Sequence, residues 1–322
     1  VGTHTVTRAQ ESFNLASTGF SLQAFGLFRE MAREADLVHF HFPWPVMDLV
    51  HFASRHERPT VVSYHSDIVR QRTLLHLYRP LMRHFLACVD RILVASPNYL
   101  ASSAVLDEFR SKTEVVPYGL DAAAYPSPKP ERLAYWRNRC GEGFFLFVGV
   151  LRYYKGLHHL LDALANTDLP LMIIGSGPME AELKAQAERL QLRHVQFLGR
   201  LDEADKMCLL QLCLALVFPS HLRSEAFGIS LLEAAMCGKP MISCEIGTGT
   251  TYVNLDGETG HVVQPGDSAA LRAAMRRLRA EPERSAALGA NARQRFEALF
   301  SSEKMCEETV RVYREVLKKR PL

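Results

Sequence analysis

FFLFVGVLRYYKGLHHLLDALANTDLPLMIIGSGPMEAEL, residues 144–183, runs twice through one pattern: a short apolar segment, a glycine, then a helical periodicity. FFLFVG (144–149) and PLMIIG (170–175) have the length of buried strands rather than helices. Strands that alternate with helices lie parallel in one sheet, because a parallel crossover needs about a dozen residues or more. Toward the carboxyl end the alternation continues with HVQFLG (194–199), LALVFPS (214–220), KPMISC (239–244) and GHVVQP (260–265). Toward the amino end DLVHFHF (36–42), PTVVSY (59–64), RILVA (91–95) and TEVVP (113–117) form a second set, also separated by helical patterns. Between the sets lies DAAAYPSPKP (121–130), whose prolines and small residues suggest a linker. The expected organisation is α/β: a domain over 1–121, a linker over 122–143, and a second domain over 144–300. A helix over 303–319, with Met305, Val312, Tyr313, Val316 and Leu317 on one stripe, is expected to return to the first domain. A doubly wound nucleotide-binding domain is commonly built from two three-stranded halves. Six strands complete the second domain, whereas four leave the first short of its opening strands and the loop after them. The chain starts at Val1 rather than Met, which fits a numbering that begins inside a longer protein.

Composition narrows the function classes. With 322 residues, 48% hydrophobic and 23% charged, the chain is an ordinary globular one, and disorder, collagen and coiled coil are excluded. Lys and Arg number 38 against 35 Asp and Glu, so the net charge of +3 lacks the basic excess of a dedicated nucleic-acid binder. Seven cysteines without a C-x-x-C pair argue against a disulfide framework or a zinc knuckle, and a reducing cytosol suits them. No apolar run reaches the roughly 18 residues of a membrane span, and no signal peptide precedes the first element.

Four segments carry chemistry. In PSHLRSEAFGISLLEAAMCGKP (219–240), Glu225 and Glu233 stand eight residues apart, with Ala226, Phe227, Gly228 and Ile229 leading into a helix. Backbone N–H groups and the positive end of a helix dipole there form a seat for a diphosphate, and Glu233 is placed to accept hydrogen bonds from vicinal hydroxyls such as those of a ribose. The second segment is the loop of VGVLRYYKG (148–156), where Gly149, Arg152 and Lys155 bring backbone and cations to a phosphate. Neither a P-loop nor a dinucleotide fingerprint is present. In the third, Gly175, Gly177 and Pro178 turn the chain from a strand into a helix, with Pro178 expected at its first position. The fourth, YHSD (64–67), puts His65 at a strand end, where it can donate to a sugar hydroxyl or act as a base. Of the thirteen histidines most, including His39, His41, His158 and His159, read as core or surface residues. No spacing of the H-E-x-x-H kind points to a metal.

Together these residues resemble the retaining glycosyltransferases of family four. The likeness runs from residue 36 onward and rests on E-x7-E (Glu225 to Glu233) within SEAFGISLLEA, on YHSD (64–67), PYGLD (117–121), VGVLRYYKG, GSGPMEAEL (175–183) and IGTGTTYVNLDGETG (246–260). It implies the GT-B architecture, two facing Rossmann-like domains with the active site in the cleft, and chemistry without a bound metal or other cofactor. By the same resemblance Glu225 holds the donor sugar's hydroxyls near the anomeric carbon, and the amides of Phe227, Gly228 and Ile229 meet sugar or phosphate. Glu233 takes the ribose, Lys155 pairs with the diphosphate, and His65 touches the sugar from the other domain. Retention through a same-face, oxocarbenium-like state follows from the resemblance, with Glu225 as a covalent nucleophile the less favoured version. The family usually has Arg where this chain has Val150, and Arg152 is the residue able to supply that cation.

From Ile68 to Val89 there are four arginines, two histidines and no acid. On a helix Arg72, His76, Arg79 and Arg83 share one face, with Leu74, Tyr78, Leu81, Met82 and Phe85 on the other. Such a face is either merely solvated or meets anionic headgroups or a lipid diphosphate at the inner surface of the cytoplasmic membrane. IGTGTTYVN resembles bacterial mannosyl- and rhamnosyltransferases of lipopolysaccharide O-chains, which implies GDP-mannose or GDP-rhamnose as donor and an undecaprenyl-diphosphate-linked saccharide as acceptor. A UDP-sugar transferase, a binding protein without turnover, and an epimerase or hydrolase on the same architecture remain as alternatives.

Overall fold

A computed structural model describes residues 4–15, 18–68 and 72–319, excepting the side chains of 14, 15, 18 and 72–75. The chain divides into two compact units. The first gathers the described residues of 1–95, 103–116 and 307–322, and the second those of 96–102 and 117–306.

In the first unit a hairpin, β1 (Phe13–Leu15) and β2 (Thr18–Phe20), precedes a parallel sheet of β3 (Val38–Phe42), β4 (Thr60–Tyr64), β5 (Arg91–Val94) and β6 (Thr113–Val115) in that spatial order. The four expected strands are present with trimmed ends, and the hairpin is an addition the sequence did not suggest. Phe40, Phe42, Val61, Val62, Ile92 and Val94 fill the sheet, with Phe85 and Leu86 from the helix Arg72–Cys88 among the core residues. The helix Ser302–Lys319 buries Val312 and Val316, and within this unit Tyr313 hydrogen-bonds His39 and Arg311 pairs with Glu114.

The second unit holds β7 (Phe145–Val148), β8 (Leu171–Ile174), β9 (Val195–Gly199), β10 (Ala215–Phe218), β11 (Met241–Cys244) and β12 (Gly260–Val263). Their spatial order is β9-β8-β7-β10-β11-β12, all parallel. Counted within the unit this is 3-2-1-4-5-6, the doubly wound order in which ligands bind beyond the carboxyl ends of the two central strands. Those strands are β7 and β10. Continuous apolar runs such as ALVF (215–218) and LMII (171–174) are buried throughout because helices cover both faces. Phe145→Ala, which empties a fully buried site, is expected to cost about 3–5 kcal/mol. Chemical denaturation followed by circular dichroism measures it.

The expected linker over 122–143 is largely ordered. Ala122–Ala124 forms a 3-10 turn capped by Asp121, and Pro130–Cys140 forms a helix whose Trp136 is buried and donates to Asp205 Oδ1 at 3.0 Å. Its apolar content is small, but one indole and the Arg132 pairs to Asp202 and Asp205 fasten it to the helix Glu203–Leu212.

Candidate active site

The loops that leave β7 and β10 meet at the point where the strand order reverses. The first carries Lys155 in the 3-10 turn Tyr153–Lys155, and the second carries Glu225. Their side chains form an ion pair with 11% and 12% of their surface exposed. Ser220 Oγ donates to Glu225 Oε2 at 3.2 Å, and the Lys155 ammonium lies 4.7 Å from the centre of the Phe218 ring. Each charge is thus oriented and partly withdrawn from water, which strengthens its action on an incoming ligand. Two residues past Glu225 begins the approach to the helix Ile229–Met236. Its N-cap Gly228 has φ +96°, a left-handed conformation, and a side chain there would press on Leu231 and Phe218. The first N–H groups of this helix have no intrahelical acceptor, so Ile229 and the residues before it present donors beside Lys155. Phe227 is buried against Tyr118, which positions the turn.

Glu233, on the same helix, occupies a second polar cluster. Its Oε1 accepts from Lys206 Nζ at 2.7 Å and from Tyr125 Oη at 3.2 Å. Burial opposes the Lys206 charge, but the carboxylates of Glu203 and Glu233 outweigh it and raise its pKa. Burial and the Glu233 charge push the Tyr125 hydroxyl up, so it remains a donor. Glu233 is therefore fixed by two donors, as a partner for vicinal hydroxyls must be. Tyr125 and Lys206 escaped the sequence reading because they lie 108 and 27 residues from Glu233.

Glycines at the other loops serve packing. Gly175 has φ +133°, and a side chain there would strike the carbonyl oxygen of Gly149. One at Gly177 would lie 2.5 Å from Leu151 O. These contacts press the β8 turn onto the β7 loop, helped by Leu151 N donating to Ser176 O at 3.1 Å. Pro178 is not the first helical residue as expected. The turn continues through Met179, whose N–H donates to Leu151 O, and the helix begins at Glu180. Arg152 is exposed, while Arg200 Nε donates to Ser176 Oγ at 2.6 Å and brings an unanticipated cation to this rim.

In the first unit His65 follows β4. Its N–H donates to Phe42 O, and its Nε2 lies 2.8 Å from His41 Nδ1 with the two rings stacked. Burial, then the neighbouring His41, lowers its pKa, so the neutral ring dominates at pH 7. His41, expected as an incidental residue, instead orients His65; alternation on β3 and the β3–β4 register put them side by side. Tyr64 and Ser103 both donate to Asp67 Oδ1.

Of the basic helical face, His76 and Arg79 are exposed, whereas Arg83 is paired with Glu108. The side chain of Arg72 lies outside the described residues. Leu77, between the exposed His76 and Arg79, is 82% exposed. Among the described residues no helix is long and apolar enough to cross a membrane. The helix is held from beneath by Tyr78, which donates to the fully buried Asp48. Burial pushes the Asp48 carboxyl up to about 7, against the Tyr78 hydrogen bond. A carboxyl raised on folding binds its proton in the folded state while the unfolded chain has released it, so stability falls as pH rises from about 4 to 7. Asp48→Asn is expected to remove this loss, so the melting-temperature gap between variant and wild type should widen from pH 5 to pH 8.

Comparison with known proteins gives the family and the fold. The family described as glycosyl transferases group 1 matches residues 134–295, and that described as glycosyltransferase family 4 matches residues 4–124. The chain is 61% identical over 301 residues to D-rhamnosyltransferase WbpZ of Pseudomonas aeruginosa, which covers 94% of this chain and 79% of that protein. It is 48% identical to O-antigen chain mannosyltransferase C of Escherichia coli over 98% of this chain and 84% of that one. A glycosyltransferase structure from Rickettsia africae ESF-5 superposes with a TM-score of 0.78 at 18% identity, covering 97% of this chain and 85% of that one. With two parallel-sheet units, the second in doubly wound order, the chain belongs to the family-four glycosyltransferases and has the GT-B fold.

Proposed function

We propose that the protein transfers a hexose, mannose or D-rhamnose, from its GDP-sugar to a lipid-linked saccharide during lipopolysaccharide O-antigen assembly, with retention at the anomeric carbon. The observation that carries the reading is the nearly buried Lys155–Glu225 pair beside the amino end of the Ile229–Met236 helix, at the strand-order reversal. The names of the two relatives, a D-rhamnosyltransferase and an O-antigen mannosyltransferase, support the sugar and the acceptor class.

In the proposed reaction the bond from the anomeric carbon to the diphosphate oxygen breaks, and the acceptor hydroxyl oxygen bonds to that carbon from the same face. The hydroxyl proton passes to the departing phosphate oxygen. Charge grows on the diphosphate as the bond lengthens, and Lys155 with the helix N–H groups stabilises it there more than in the ground state. Glu225 orients the sugar hydroxyls and Glu233 the ribose. The enzyme rests on the cytoplasmic face of the inner membrane through the His76 and Arg79 face, with Leu77 entering the headgroup layer. Arg79→Glu, which removes one cation worth roughly 1 kcal/mol near an anionic surface and adds an anion repelled by about as much, is expected to weaken sedimentation with phosphatidylglycerol vesicles by about thirtyfold.

The donor test is a panel of GDP-mannose, GDP-D-rhamnose, UDP-glucose and ADP-glucose with a synthetic undecaprenyl-diphosphate saccharide, followed by NMR of the product. Transfer only from the UDP- or ADP-sugar overturns the donor assignment, and an inverted anomer overturns retention. Glu233→Ala is expected to raise KM for the donor with a smaller change in kcat. An unchanged KM removes Glu233 from the ribose site.

A further inference from the structure

His158 and His159 open the helix Leu157–Leu164 directly after Lys155 and Gly156, and His221 follows Ser220 in the loop that leads to Glu225. One ring nitrogen from each lies within 4.8 Å of the other two. Both ring nitrogens of His221 are buried without a hydrogen-bond partner. A neutral imidazole has one N–H and one lone pair, and buried polar groups of that kind almost always find partners.

Two other histidine pairs supply a contrast. His41 and His65 share a hydrogen bond at 2.8 Å, and His51 and His56 share one at 3.0 Å, which leaves of their ring nitrogens only Nδ1 of His56 buried without a partner. No such bond joins His158, His159 and His221 among the described residues, although their ring centres lie 4.0 to 5.2 Å apart. Tyr153 walls the group on one side, stacked on His158 and edge-on to His221. The His221 N–H donates to Tyr154 O, which anchors the second loop to the first.

We propose that His158, His159 and His221 form a binding site for a divalent transition-metal ion of the zinc class, which clamps the loop of Lys155 to the loop of Glu225. Three imidazoles with a fourth position open to water are a recognised zinc arrangement, and zinc–nitrogen bonds of about 2.0–2.1 Å need ligand atoms about 3.4 Å apart. Small side-chain rotations close the remaining distance. Imidazole nitrogen without thiolate favours zinc, copper or nickel over magnesium or calcium. The ion takes no part in the transfer step, and the site is independent of which donor the enzyme uses.

The experiment titrates the metal-stripped full chain with zinc against a chromophoric chelator, with cobalt as a spectroscopic substitute and thermal unfolding in parallel. Wild type is expected to bind one ion, to show ligand-field bands without thiolate charge transfer, and to melt at a higher temperature with zinc. His221→Asn and His159→Asn are each expected to weaken zinc binding at least tenfold and to abolish the thermal shift, whereas His51→Asn, in the other unit, leaves both as in wild type. Should His221→Asn fail to fold, His159→Asn carries the comparison. Equal affinity in wild type and either ligand variant, cobalt spectra dominated by thiolate bands, or no binding by wild type overturns the proposal.

Discussion

Lys155→Ala is expected to lower kcat/KM for sugar transfer by about 10²–10³, the loss typical when one preorganised charge-stabilising group is removed. The effect should fall mainly on kcat, because the charge that Lys155 meets grows as the diphosphate departs. The same change leaves Glu225 with 12% of its side chain exposed and no cation, and removal of one partner from a buried pair costs about 3–5 kcal/mol of stability. The two losses separate in the double variant Lys155→Ala, Glu225→Gln. A neutral amide needs no cation and still accepts from Ser220, so stability should largely return while activity does not. Steady-state kinetics and chemical denaturation of the three proteins measure both. Full activity in a folded Lys155→Ala protein excludes the assigned role.

Gly156→Ala should be a strongly damaging single-methyl change where the two site loops meet. Gly156 has φ +69°, and its added carbon would meet the carbonyl oxygen of Pro219, with His221 Nδ1 at 3.2 Å. Strain at such a position and the forced separation of two loops together cost on the order of 3 kcal/mol. Gly257→Ala is the control, since Gly257 has φ +72° but nothing within 4 Å of the new carbon. There only the positive-φ backbone penalty of about 1–2 kcal/mol applies. The Gly156 variant should also lose transfer activity, because Lys155 and Glu225 sit on the two loops that the methyl forces apart. Equal melting temperatures for the two variants contradict this account.

Much of the architecture was readable because parallel strands buried on both faces leave short uninterrupted apolar runs, as ALVF (215–218) does. The meeting of Lys155 with Glu225 was legible for a related reason: each lies in the loop after one of the two strands, β7 and β10, that the doubly wound order makes neighbours. What escaped lay in relations between distant segments. The prolines at 126, 128 and 130 suggested a linker, yet one of them starts a helix, where a missing N–H does no harm. Tyr125 and Lys206 reach Glu233 only once that helix and its neighbour are packed. The histidines were discounted because 158 and 159 are separated from 221 by three strands, and only the central placement of β7 and β10 unites them. His41 was missed because its partner depends on the register between β3 and β4.

The path of the chain has a consequence for synthesis. Residues 96–102 belong with the second unit and residues 307–319 with the first, so the chain passes between units at 95, 102, 116 and 306. A ribosome that delivers the chain from its amino end leaves the first unit without Val312, Val316 and the Tyr313 contact to His39 until the helix Ser302–Lys319 emerges. The second unit, begun later, can close earlier. Interruption near residue 306 therefore spares the sheet that precedes Lys155 and Glu225 and deprives the unit that carries His65 of a packed helix, which ties closure of the first unit to the synthesis of residues more than 190 positions further along.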